Sequence, residues 1–223
     1  METLRHVSTD IAHDLRTPLG HLRHALEDAR DRARNVDEYK NAVTCAISES
    51  DAILETFSAI LRIAQIESGS RRAGFGRINL SEIAASVAQS FSPTAEEQDH
   101  MLLSRIENGV ELDGDRELIT QLIANLLDNA IRHTPAGTQI SLKVAREDKG
   151  AILEVSDNGP GVPANEREKI LDRFYRGEAS RTTPGNGLGL SLVTAIAGLH
   201  HAQIAVLDNH PGLIIRVGLP YPT

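Results

Sequence analysis

The sequence predicts an α + α/β chain: a long helical hairpin that pairs into a dimeric four-helix bundle, followed by an α/β sandwich. Three observations predict it. Residues 1–68 hold only one of the 17 glycines (Gly20) and one of the 9 prolines (Pro18). Both residue types interrupt helices and mark turns, so the first part reads as long helix and the remainder as a mixed, loop-rich domain. The first part also carries a heptad stripe, and the second alternates helical with strand periods. The switch falls at Gly69-Ser-Arg-Arg-Ala-Gly-Phe-Gly76, giving a hairpin over 1–68, a linker over 69–76 and a second domain over 77–223.

In the hairpin, Val43, Ile47, Ser50, Leu54, Phe57, Leu61 and Ala64 recur alternately four and three residues apart, the narrow seam of a helix that packs on other helices. Leu4, Val7, Ile11, Leu15, Leu22, Leu26 and Ala29 form a looser stripe on an earlier helix, and Arg32–Glu38 reads as a turn around Asn35. Each arm is roughly 45 Å long at about 1.5 Å per residue. Two helices cannot bury both flanks of such stripes, whereas two hairpins in a four-helix bundle can. A homodimer through residues 1–68 is therefore expected; the alternative is a hairpin packed on its own second domain. In the second part, Ser81–Phe91 reads as a helix capped by Ser81, Asp115–His133 as an amphipathic helix capped by Asp115, and Gly187–His200 as a third helix. Thr138–Ala145, Ala151–Ser156, Gln203–Leu207 and Leu213–Leu219 read as strands.

Composition narrows the function. Of the 223 residues 40% are hydrophobic and 24% charged, ordinary for a folded globular chain. Aromatics are 3% with no tryptophan, so the core is aliphatic. The net charge is −8 with no dominant basic block, which argues against a nucleic-acid binder. The lone Cys45 excludes an internal disulfide and any multi-cysteine metal site, and fits a reducing compartment. No apolar run approaches the roughly 18 residues of a membrane span, and Met1–Asp10 is too polar for a signal peptide. A cytoplasmic location is expected, compatible with a longer parent anchored in a membrane.

Residues 13–19 read His-Asp-Leu-Arg-Thr-Pro-Leu. At about 100° per residue His13 lies roughly opposite the Ile11/Leu15/Leu22 stripe, and Thr17 shares its face one turn on. A neutral imidazole has a lone pair for attack, and a carboxylate such as Asp14 can fix its tautomer and stabilise the cation that forms. Pro18 removes a backbone hydrogen bond and favours a kink. Geometry alone leaves His13 a solvated surface residue, since His6 and His24 project to nearly the same face.

The Asp115–His133 helix carries Asn125, Asn129, Arg132 and His133 on one face, at i, i+4, i+7 and i+8. An asparagine carbonyl can ligate magnesium without adding charge beside a triphosphate, and an arginine can pair with phosphate oxygens. Alone, such a stripe is more often a solvated face. Ser156-Asp-Asn-Gly-Pro-Gly161 follows a strand. Its Asp157 can accept from an adenine amino group, and its glycines let backbone approach a flat ring. Gly185-Asn-Gly-Leu-Gly-Leu190 opens a helix, where free N–H groups and the dipole favour phosphate.

Taken together these motifs resemble a known family. HDLRTPL resembles the phospho-acceptor signature of the sensor histidine kinases of two-component systems. NLLDNAIRHTP, DNGPGVP and GNGLGLSLV, in that order, resemble the N box and the two glycine boxes of their ATP-binding domain, whose fold is shared with gyrase-type ATPases. Arg173-Phe-Tyr-Arg176 resembles the phenylalanine box, and the stretch from Val162 to Asn186 resembles the lid that closes over ATP. The resemblance covers nearly the whole chain.

It implies a protein histidine kinase that binds ATP and Mg²⁺. His13 would receive the γ-phosphoryl, Asp14 would act as base or hydrogen-bond acceptor, and Thr17 would position water during dephosphorylation of the partner. Asn129 would ligate Mg²⁺, with Asn125 supporting the phosphate site and Arg132 contacting phosphates. Asp157 would read adenine, while Gly159, Gly161, Gly185, Gly187 and Gly189 shape the pocket; His133, Phe174, Arg176 and Leu188 complete the nucleotide residues. The phosphoryl group would pass to an aspartate of a response-regulator receiver domain. Asp14 stands where Glu is frequent in the family, and His133 where an aromatic ring is common. Two other readings fit parts of the pattern: a gyrase-type conformational ATPase, which would lack the HDLRTPL hairpin, and a non-enzymatic dimeric scaffold that docks the regulator.

Overall fold

The structure, a computed structural model, describes residues 19–20, 22–24, 26–27, 29–31, 35–67, 74–173, 175 and 187–221. His13, Asp14, Thr17, Pro18, Phe174, Arg176 and Gly185 lie outside these residues. The chain divides into two compact units, Met1–Ala64 and Gln65–Thr223.

In the first unit the described residues of 19–31 are helical (α1), and α2 runs over Val36–Glu67. Asn35 caps α2 reciprocally: its Oδ1 accepts from the Glu38 N–H at 2.9 Å and its Nδ2 donates to Glu38 Oε1 at 2.8 Å. The turn expected over Arg32–Glu38 therefore ends at Asn35, and Val36–Glu38 already form the first turn of helix. The heptad seam stands uncovered in the chain. Val43 is 51% exposed, Ile47 57%, Leu54 62%, Phe57 40% and Leu61 41%.

The second unit holds two sheets and a helical layer. Strand β1 (Phe75–Asn79) pairs antiparallel with β3 (Glu111–Asp115). The main sheet has the order β2-β4-β5-β7-β6, with β2 (Met101–Ile106), β4 (Gln139–Glu147), β5 (Gly150–Asp157), β6 (Gln203–Asp208) and β7 (Leu213–Pro220). Only β2 and β4 run parallel; the other pairs are antiparallel. Helices α3 (Leu80–Glu97), α4 (Arg116–His133) and α5 (Gly189–Leu199) form the second layer, with α4 packed between the other two. Burial alternates along the sheet, as a strand with one covered face requires: Ile140, Leu142 and Val144 on β4, Leu213, Ile215, Val217 and Leu219 on β7. This is the α/β sandwich expected.

The aliphatic stripe of α4 is the centre of the core. Leu118, Ile119, Leu122, Ile123, Leu126, Leu127 and Ile131 are all buried to 2% exposure or less. Its N-terminus is fixed as expected by Asp115, whose Oδ1 accepts from the Glu117 and Leu118 N–H groups at 2.9 and 3.1 Å. Truncating Leu122 to alanine removes buried methyl groups at the middle of this stripe. It should destabilise the domain by about 2–5 kcal/mol in urea unfolding; a loss under about 0.5 kcal/mol would mean the site is not packed as described.

Several boundaries differ from expectation. Asn79, not Ser81, caps α3: its side chain accepts from the Glu82 N–H at 3.1 Å. Ser81 Oγ instead donates to the Glu107 carbonyl (2.6 Å) and accepts from the Val110 N–H (3.0 Å), tying α3 to the β2–β3 turn. The helix continues to Glu97 through the exposed Pro93, where water can reach the carbonyl that proline leaves free. The segment expected as linker over 69–76 ends in strand, because Phe75 and Gly76 pair with Asp115 and Gly114. Helix α5 starts at Gly189 rather than Gly187, whose φ of +64° cannot lie in a right-handed helix.

His200, at the C-terminal end of α5, locks three elements together. Its Nδ1 donates to the Ile196 carbonyl at 2.8 Å, its Nε2 accepts from the Asp115 N–H at 3.0 Å, and its ring stacks on Phe75 at 4.7 Å. Nε2 can accept only while it lacks a proton, and burial holds this imidazole below its ordinary pKa. As pH falls through about 6.5 the unfolded chain therefore takes up the proton first, and stability that is full above that value is lost. His200→Gln should flatten the fall in Tm between pH 7.5 and 5.5; an unchanged slope would assign acid sensitivity to other groups.

Candidate nucleotide site

Helices α4 and α5 lie side by side in opposite directions, because the C-terminal end of α5 (His200) meets the N-terminal end of α4 (Asp115). An eleven-residue α5 is about 16 Å long at 1.5 Å per residue, so its N-terminus reaches roughly the level of Leu126 on α4. The α5 start is thereby brought near Asn125 and Asn129, two of the four polar residues the sequence places on one face of α4.

That face is built for partners outside the helix. Asn125 and Asn129 are half-buried. Asn125 Nδ2 is buried and makes no hydrogen bond, and one turn earlier the same is true of Gln121 Oε1. A buried polar atom without a partner costs about 1–3 kcal/mol, which a ligand can recover. Gln121 extends the stripe by one turn and was missed in the sequence, although the four-residue spacing to Asn125 could have found it. Arg132 pairs through its Nε with Asp128 at 2.8 Å on an exposed surface. An exposed pair of this kind is worth about 0–1 kcal/mol, so it leaves the guanidinium able to turn to a stronger anion. His133 is exposed in the last turn, where a cation is favoured by the helix dipole. That last turn is held by Thr134 Oγ1, which donates to the Ala130 carbonyl at 2.7 Å, and by the buried His100, whose Nε2 donates to the Ile131 carbonyl at 3.1 Å.

Asp157 ends β5 beside this turn. It is 8% exposed, and its Oδ1 accepts from the Gly159 N–H at 2.9 Å. Burial pushes its carboxyl above the usual aspartate range, partly opposed by hydrogen bonds from the Gly159 and Leu213 N–H groups. Asn158 fastens the same turn to β4, its Oδ1 accepting from the Gln139 N–H at 2.7 Å.

The glycines of this turn face protein rather than open space. A Cβ at Gly159 would lie 2.9 Å from Thr134 Cγ2, and one at Gly161 (φ +72°) would lie 2.8 Å from the Gly212 carbonyl oxygen. The expectation that they clear room for a flat ring is thus replaced: they let the turn close onto α4 and onto the β6–β7 connection. Gly189, by contrast, has nothing within 4 Å of a Cβ position. Leu188 is buried in the core at 5% exposure, and its carbonyl accepts from Ser191 Oγ at 2.9 Å.

The donor set fits a magnesium nucleotide. Among the described residues no cluster of three or more His, Cys, Asp or Glu could hold a metal ion alone. Magnesium does not need one: it is commonly held by one or two protein oxygens together with phosphate and water. A half-buried Asn129 carbonyl beside the unpartnered Asn125 donor, level with a glycine-opened helix N-terminus, supplies that chemistry. Among the described residues no helix is long and apolar enough to cross a membrane.

Residues 114–223 match the family of histidine kinase-, DNA gyrase B- and HSP90-like ATPases. Along almost its whole length the chain is similar to the sensor protein kinase PmrB of Pseudomonas aeruginosa, 33% identical over 229 residues, covering 99% of this chain and 46% of that protein. The chain spans about half the length of the curated relatives it matches. The fold is that of the Acinetobacter baumannii histidine kinase AdeS, with a TM-score of 0.73 and 19% identity over 95% of this chain and 98% of that one. It is also that of the histidine kinase ThkA solved in complex with the response regulator protein TrrA, with a TM-score of 0.72 and 19% identity over 99% of this chain and 63% of that one. Residues 114–223 thus match the histidine kinase-, DNA gyrase B- and HSP90-like ATPase family, within a chain that is similar nearly from end to end to sensor histidine kinases.

Proposed function

We propose that this chain is the phosphotransfer core of a histidine kinase: it binds ATP with Mg²⁺, phosphorylates itself on His13 and passes the phosphoryl group to an aspartate of a response-regulator receiver domain. In this reading residues 1–68 are the dimerisation and phosphotransfer hairpin, 69–76 the hinge region, and 77–223 the catalytic domain. The observation that carries it is the meeting of three features at one end of the sandwich: the half-buried asparagine face of α4 with its unpartnered Asn125 donor, the start of α5, and the carboxylate of Asp157.

Asp157 accepts from the adenine amino group. Asn125 donates its free amide hydrogen toward phosphate, and Arg132 turns from Asp128 to the same charge. Asn129 holds the magnesium ion, which when bound neutralises charge on the phosphates. Gly187, Gly189 and the Leu188 backbone present N–H groups, and Gly185, Phe174, Arg176 and His133 are assigned to nucleotide binding by the motifs that carry them. At the hairpin a His13 ring nitrogen forms a bond to the γ-phosphorus as the bond from that phosphorus to the ADP oxygen breaks; Asp14 holds the other ring N–H. Positioning and charge neutralisation supply most of the rate in such transfers. The uncovered heptad seam of α2 supports a homodimer, and the ThkA–TrrA assembly supports a regulator as partner. Thr17, four residues after His13 in the sequence, positions the water that attacks the regulator's phosphoaspartate, giving phosphatase activity as well.

The test is incubation of purified chain with Mg-ATP labelled at the γ-phosphate. Protein label that is acid-labile and base-stable is expected. ATP hydrolysis with no protein label would indicate a conformational ATPase, and neither label nor hydrolysis a scaffold.

A further inference from the structure

The connection between β6 and β7 grips the backbone of Asp157. The β5–β7 ladder ends at Ser156–Ile214, so the Asp157 carbonyl lies beyond it. Asn209 supplies the missing donor: its Nδ2 reaches that carbonyl at 2.6 Å, and its backbone N–H closes the turn on the Gly212 carbonyl at 3.2 Å. Gly212 has a φ of +112°, and a Cβ there would fall 1.8 Å from the Asp157 carbonyl oxygen. No residue with a side chain fits that approach. The far side of the connection is anchored too: Asp208 pairs with Arg167, whose Nε donates to the Val162 carbonyl at 3.0 Å.

Asp157 is therefore held at its carbonyl and at its carboxylate, with Oδ1 already committed to the Gly159 N–H. An ionised carboxylate only accepts hydrogen bonds. Adenine offers one amino donor at its six position. Guanine offers an acceptor there, and its donors are an adjacent ring N–H and amino group that pair best with both oxygens of a carboxylate free to turn. A pinned carboxylate with one oxygen in use suits the first base and not the second, because rejection comes from donors left unpaired.

We propose that Asn209 and Gly212 are positioning residues that fix the Asp157 carboxylate, so that the β6–β7 connection sets the preference for adenine over guanine nucleotides. This deepens the reading of Asp157 as the base-contacting acid and rests on it.

The test is calorimetric titration of the full chain with ADP and with GDP, which needs no catalysis. Asn209→Ala should weaken ADP about tenfold, the equivalent of one lost hydrogen bond, while GDP affinity stays level or rises, so the ADP/GDP ratio narrows. Asn209→Ser, with a shorter donor, should narrow it less, and provides the measurement if the alanine variant does not fold. Equal weakening of both nucleotides, leaving the ratio unchanged, would make Asn209 a purely structural residue and overturn the proposal. Asp157→Asn separates the two levels. If it erases the preference while Asn209→Ala keeps it, the base-reading role stands and the positioning role falls. If it keeps the preference, or if the unaltered chain binds both nucleotides alike, Asp157 does not read the base.

Discussion

His13→Ala should abolish covalent labelling by Mg-ATP while leaving ADP affinity within about twofold, the range of a substitution outside the binding groups. The asymmetry is the informative part. All groups assigned to nucleotide binding lie on α4, at the end of β5 and from there to the start of α5; none lies on the hairpin. Removing the imidazole takes away the attacking lone pair and nothing that holds the nucleotide. On the helical period expected from the sequence, His13 falls opposite the Ile11/Leu15/Leu22 stripe, so alanine there is expected to cost little packing. Asp14→Asn should lower the labelling rate by about 10²–10⁴, the usual contribution of a positioned acid–base group, without moving ADP affinity. Label that persists in the His13 variant, with the same acid lability, would place the phospho-acceptor on another histidine.

What the sequence made legible follows its strong local signals. Helix α4 was readable because seven large aliphatic side chains recur at helical spacing behind an aspartate cap, and the structure places both as expected. Strands β4 to β7 were readable because alternation survives where one face is buried. Strands β1 and β3 were not: Phe-Gly-Arg-Ile-Asn and Glu-Leu-Asp-Gly-Asp are short, polar and glycine-bearing, and only their mutual pairing makes them strands. The same limit applies at the site. The glycine boxes announced a nucleotide, but the reason for Gly161 is a carbonyl of Gly212 fifty-one residues later, a long-range contact no local spacing encodes. Leu188 lies within a nucleotide-like motif, yet its side chain serves the core. Asn209 sits in a stretch that reads only as a turn, and its partner is visible only once β5 and β6 are placed.

Asn129→Asp is the sharpest probe of the phosphate end of the site. It changes one side-chain amide to a carboxylate of nearly the same shape, on a half-buried position of α4, and so alters charge with little change in packing. A carboxylate about 5 Å from a phosphate repels it by roughly 3 kcal/mol at an effective dielectric of about 20, which corresponds to about a hundredfold loss of ATP affinity. An aspartate is also a stronger magnesium ligand than asparagine, and that opposing effect is separable. ADP titrated without magnesium should show the full loss, while ATP with magnesium shows a smaller one. Adenosine carries no phosphate and should bind the variant within about twofold of the unaltered chain, because the proposed base contact lies at Asp157. Equal loss for adenosine and ATP would indicate damage to α4 itself. Undiminished ATP affinity, with and without magnesium, would remove Asn129 from the phosphate site and leave the unpartnered Asn125 amide to be satisfied by some other ligand.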